Sequence, residues 1–176
     1  TGISSTPWVI ARRFEYDDMY SVTPFIKAIK ISTSSDIKGS IFNIRLYEVG
    51  ENGQPTNYLY SDNILGIAKK GKRITEINLD KFNIRFPKEG VFIAYEWLII
   101  EENKYEFQYT VLGDPKNKLD GVSYEPSVGT LISDSNEASW ILWNGTWKKV
   151  HKLNQVYGKK HEGRYHLLAM GLTLTN

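Results

Sequence analysis

The feature that most constrains this fold is the run Val91-Phe92-Ile93-Ala94-Tyr95-Glu96-Trp97-Leu98-Ile99-Ile100, which is apolar at both parities apart from Glu96. Its β-branched and aromatic content and its length favour a strand over a helix. A strand that is apolar on both faces must be covered on both, so it belongs in the middle of a layered structure. It cannot be the exposed rim of a lone sheet.

The rest of the sequence agrees with such a layer. Helical periodicity is nearly absent, and short β-branched and aromatic runs bounded by Gly, Pro, Asn and Asp recur along the chain. Strands are expected at residues 8–14, 25–33, 41–49, 64–69, 73–79, 91–100, 107–112, 127–132, 139–143, 146–150 and 165–174. In Ile41–Val49, Phe42, Ile44 and Leu46 share one parity while Asn43, Arg45 and Tyr47 share the other, the pattern of a half-buried strand. The segment Ser139-Trp140-Ile141-Leu142-Trp143-Asn144-Gly145-Thr146-Trp147 reads as a hairpin, because Asn-Gly supplies the two positive-φ residues of a type I′ turn. This turn sets Trp143 opposite Thr146, Leu142 opposite Trp147 and Trp140 opposite Lys149. The parity of Trp140, Leu142 and Trp147 carries more apolar area and is expected to face the core, leaving Trp143 and Lys148 outside. The polar stretches 51–57 and 113–118 read as surface loops. The fold class expected is all-β, an antiparallel, jelly-roll-like β-sandwich, with residues 1–176 as a single domain.

Composition excludes several functions. With 176 residues and no cysteine, the chain holds no disulfide, thiolate nucleophile or cysteine-ligated zinc. A formal net charge of +2 gives no nucleic-acid footprint. No apolar run reaches the length of a membrane span, and Thr1-Gly2-Ile3-Ser4-Ser5 lacks the basic start and apolar core of a signal peptide.

Candidate sites are few. The three histidines, His151, His161 and His166, have neither the two-apart nor the four-apart spacing that would set two imidazoles on one metal. Hydrogen-bonded or exposed histidines are the simpler reading. No Gly-x-Ser-x-Gly elbow and no phosphate-binding Gly-rich motif occurs. The oxygen-rich stretches Asp134-Ser135-Asn136-Glu137 and Asp17-Asp18 match no EF-hand and read as solvated loops, so neither a metal nor another cofactor is expected. Glu96 sits inside the most apolar run, where a lone carboxylate is costly. A structural ion pair is the expected role, with Arg45 as candidate partner, and no second carboxylate stands in a comparable position for glycoside chemistry. The basic cluster Lys69-Lys70-Gly71-Lys72-Arg73 reads as a hairpin tip whose charges discourage edge-to-edge pairing. Asn144-Gly145-Thr146 matches a glycosylation sequon, but its turn role already accounts for it.

A longer pattern joins Asn43-Ile44-Arg45-Leu46-Tyr47-Glu48-Val49, the Gly53-Gln54-Pro55 turn, Glu76-Ile77-Asn78-Leu79 with Lys81-Phe82-Asn83-Ile84, and Pro87 to Trp97 through Gly90-Val91-Phe92-Ile93 and Glu96. It resembles the C-terminal jelly-roll-like module of Bacteroidetes envelope proteins of the carboxypeptidase-regulatory-like-domain group. The resemblance implies an exported, extracytoplasmic protein of the bacterial cell envelope, in periplasm or at the outer surface, and brings no peptidase ligand set. The functional expectation is a non-enzymatic interaction or accessory module whose partner is a protein or glycan at the cell surface. A carbohydrate-binding module is the alternative, and a glycoside-processing enzyme built on Glu96 is a third reading. For a ligand, the nominated residues are Trp143, Tyr58 and Tyr60, since large rings left in water bring no folding benefit.

Overall fold

Strands and a few short 3₁₀ segments make up the regular structure in the computed structural model, which describes residues 8–111 and 114–176. The N-terminal segment Thr1–Ser5, and Leu112 and Gly113 of the expected strand and loop, lie outside the described residues. In chain order the strands are β1 (Val9–Phe14), β2 (Phe25–Ser35), β3 (Ser40–Val49), β4 (Pro55–Ala68), β5 (Gly71–Asn78), β6 (Val91–Glu96), β7 (Lys104–Val111) and β8 (Asp114–Tyr124). They continue with β9 (Ser127–Val128), β10 (Thr130–Ser133), β11 (Ser139–Trp143), β12 (Thr146–Lys149), β13 (Tyr165–Leu168) and β14 (Met170–Thr175). Among the described residues no helix is long and apolar enough to cross a membrane.

The architecture is an antiparallel β-sandwich. One layer is a six-stranded sheet in the order β12-β11-β1-β6-β3-β4, and the other has the order β14-β2-β5, with β9 continuing beside β2. Two ribbons, β10-β13 and β7-β8, form separate pairs. The chain passes repeatedly between the layers, which is the jelly-roll-like character: β1 in the first sheet, β2 in the second, β3 and β4 in the first, β5 in the second, β6 in the first. Between the layers lie Ile10, Ile29, Ile31, Phe42, Ile44, Leu46, Ile93 and Tyr95. Arg12 ties the layers together, its Nη1 donating to the carbonyls of Leu168 (3.0 Å) and Met170 (2.8 Å).

The apolar run lies where its two-sided pattern requires, with β6 between β1 and β3 and residues Val91 to Tyr95 fully buried. Its outer cover is not a third layer. Val9, Ala11, Tyr47, Phe92, Ala94 and Trp140 form a second apolar cluster on the outward face of the six-stranded sheet. The Tyr47 and Trp147 rings meet edge to face at 5.1 Å. They come from β3 and β12, four strand spacings apart, about 19 Å in a flat sheet at about 4.8 Å per strand. The sheet is therefore curled toward this side, and small Ala11 and Ala94 on its floor leave room for rings arriving from both edges.

Several expectations need correction. The hairpin has the expected register, with Asn144 and Gly145 both at positive φ. Trp140 is also far more buried than Trp143, 8% against 41% exposed. Yet Trp140 does not face the core between the layers: it pairs with Ala11 of the outward cluster, while Ile141 pairs with inward-facing Ile10. The apolar run ends as a strand at Glu96, and Asn103 pins the following turn by bonding the amide and carbonyl of Ile41 and the carbonyl of Leu98. Residues 55–57 belong to β4, and the described part of the supposed loop 113–118 belongs to β8. Both strands are largely solvent-exposed, so their polar composition imitates loops; Pro55 is tolerated as the first residue of an edge strand. The basic cluster is not the tip of a hairpin within one sheet, because β4 pairs with β3 and β5 with β2. It is the crossing from one layer to the other.

Candidate binding groove

The five residues singled out in the sequence fall into three places. Glu96, Arg45 and Tyr58 come together on the outward face of the six-stranded sheet. Glu96 Oε2 accepts from Arg45 Nε at 2.9 Å and from Asn43 Nδ2 at 2.6 Å, and both side chains of the ion pair are largely buried. The Arg45 guanidinium also lies over the Tyr58 ring at 5.3 Å, and Tyr58 packs on Tyr47 at 4.9 Å. Burial, then a hydrogen bond with Tyr58, pushes the Tyr47 hydroxyl well above its ordinary pKa. Tyr60 is not part of this group. Register shifts in the β3-β4 ladder place it opposite core residue Leu46, against Phe82 at 5.1 Å, so Tyr58 and Tyr60 lose the common face their spacing suggests.

Trp143 stands near the opposite edge of the same sheet and on its other face. There, β1 and β11 meet the β10-β13 ribbon, leaving a groove of about 430 Å³ lined by Trp8, Ile10, Val128, Thr130, Ile141, Trp143, Tyr157 and His166. Each wall is held from behind. Trp8 packs on Tyr95 and on Trp97, each at 5.9 Å, and its carbonyl accepts from the Trp97 amide. His166 is fixed by its ring, whose Nδ1 is 2.9 Å from Thr130 Oγ1, and by its carbonyl, which accepts from Ser139 Oγ at 2.8 Å. Tyr157, from the 3₁₀ turn Gln155–Tyr157, meets the His166 ring edge to face at 5.2 Å. Desolvation, reinforced by His161, lowers the His166 pKa, favouring the uncharged imidazole.

The groove thus combines an apolar floor, two exposed rings in Trp143 and Tyr157, and a hydroxyl–imidazole pair at one wall. This matches the usual make-up of a small-ligand site, mostly apolar with a few placed polar groups. Among the described residues, its lining includes no carboxylate. Sequence reasoning named Trp143 but missed Trp8 and Tyr157, because the groove is assembled from segments whose adjacency no local pattern encodes. For His166 the sequence supports a hydrogen-bonded or exposed imidazole, and Thr130 supplies such a hydrogen bond; a place in a groove is not legible.

The other candidate sites have ordinary partners. Asp134 pairs with Arg164 at 3.1 Å, Glu137 pairs with Lys149, and Asp17 accepts from the Met19 amide at 2.9 Å. Among the described residues, no three His, Cys, Asp or Glu side chains form a group that could hold a metal ion.

Fold and site together define an antiparallel β-sandwich carrying an aromatic groove at the junction of its larger sheet with a peripheral ribbon. No protein-family model, curated protein or solved structure matches the chain.

Proposed function

We propose that this chain is a non-enzymatic binding module of the bacterial cell envelope, and that the groove at Trp143 holds a sugar unit of a glycan. The observation that carries the reading is the pairing of exposed Trp143 and Tyr157 with the Thr130–His166 pair around one 430 Å³ space. A pyranose presents an apolar face that stacks on such rings and a hydroxyl rim that exchanges hydrogen bonds with such polar groups. The envelope location rests on the resemblance of residues 41–97. The test is titration with bacterial and host polysaccharides, followed by Trp fluorescence and calorimetry. Saturable binding is expected, weakened about tenfold or more in Trp143→Ala and Tyr157→Ala, the scale of one lost aromatic contact. Binding unchanged in a folded Trp143→Ala protein removes the groove from the proposal.

A protein-interaction module is the second reading, and the β7-β8 ribbon favours it. Among the described residues its strands pair only with each other, leaving edges of the kind that accept an added strand. Tyr105, Phe107 and Tyr109 form a ladder of rings along one face.

A further inference from the structure

At the β4 and β5 edges of the two layers, the β4-β5 crossing concentrates positive charge. Lys69, Lys70, Lys72 and Arg73 are all exposed, and the neighbouring turn adds Lys38, since Gly39 donates to the Ala68 carbonyl and Ser40 pairs with Ala68. Asp36 is the one acid of these two turns, so the turns hold five cations and one carboxylate in a chain whose formal net charge is only +2. Among the described residues, none of the five has a carboxylate partner.

Large aliphatic side chains flank this charge. Leu65 and Ile67 project from the outward face of β4, opposite Asn43 and Ile41, and Ile74 projects from the outward face of β5. They are 54%, 64% and 67% exposed. The cations alone would serve to keep an open edge from pairing. That role does not account for aliphatics beside them, which gain nothing from folding when left in water.

We propose that this corner docks edge-on onto an anionic lipid bilayer. The turn Lys69-Lys70-Gly71-Lys72 meets the headgroups, and Ile67 and Ile74, on either side of it, enter the interface. Charge complementarity selects an anionic partner, and the aliphatic flanks select a lipid surface over a soluble polyanion, which offers nothing apolar to bury. This surface is separate from the groove, so the two proposals stand or fall independently.

The test is co-sedimentation of the 176-residue protein with phosphatidylglycerol/phosphatidylcholine vesicles, with phosphatidylcholine vesicles and heparin as comparisons. Binding to the anionic vesicles is expected, together with strong weakening at high salt and little binding to phosphatidylcholine alone. Lys69→Glu/Lys70→Glu should cut vesicle binding on the order of tenfold or more. Ile67→Ser/Ile74→Ser should weaken vesicle binding several-fold while leaving any heparin binding unchanged. All four positions are exposed, and an unchanged melting temperature verifies that each variant is folded. No binding to anionic vesicles overturns the proposal, as does vesicle binding insensitive to the Ile67→Ser/Ile74→Ser change.

Discussion

Glu96 shows how a costly residue is accommodated. Its position in the apolar run and the polar parity of β3 make an Arg45 partnership legible in the sequence, whereas the Asn43 contact depends on the β3-β6 register, which the sequence leaves open. Since Arg45 and Asn43 both donate to one carboxylate oxygen, Glu96→Gln should lower unfolding stability by about 1–3 kcal/mol, the scale of a lost charge-assisted hydrogen bond. Urea titration measures this, and a double-mutant cycle with Arg45→Gln should show coupling. His166 supplies a pH dependence. Its folded-state pKa lies below the ordinary histidine value of 6.5, so between the two the unfolded chain binds the proton more readily. Stability from this group is complete above about pH 6.5 and falls as pH drops through the unfolded value toward the folded one. His166→Gln should flatten that part of the stability profile. Tyr60 marks where residue-level reading fails: alternation predicts one face for Tyr58 and Tyr60, and irregular pairing gives them two.

Elements were legible in proportion to how much local chemistry specifies them. The β11-β12 hairpin is written in Asn144-Gly145, and β3 in its parity. Residues 55–63 of β4, and β8, are hidden because much of each is exposed on both faces, which erases the two-residue alternation that burial imposes and that the expected strand at 64–69 retains. Part of β4 is nevertheless tightly specified. Gly66 lies opposite Phe42, and a Cβ there would stand 2.3 Å from the tip of that fully buried ring. The Phe42 ring is held in turn by stacking on Tyr95 at 5.2 Å. Gly66→Ala should therefore cost about 1–3 kcal/mol, as overpacking does. Thermal unfolding would measure the loss, and combining the change with Phe42→Leu should recover part of it.

For the whole molecule, the two-layer architecture could be read from composition and periodicity, but its connectivity could not. Parity says which face a residue occupies and never which strand lies beside it. The sequence accordingly gave no sign that Lys69–Arg73 spans two sheets, or that rings from β3 and β12 close over Ala11 and Ala94. The same long-range pairing governs how the fold can be reached. Strand β1 is the earliest described strand, yet it lies between β6 and β11, with Ala11 opposite both Ala94 and Trp140. During synthesis its first neighbour emerges only after the ribosome has added some eighty further residues, and its second later still. Until then β1 is a strand without partners, with two open edges and an apolar half, Val9-Ile10-Ala11, beside Arg12 and Arg13, the kind of stretch a nascent-chain chaperone holds. Contacts this distant in sequence also place folding on the slow, millisecond-to-second side of the range for small domains.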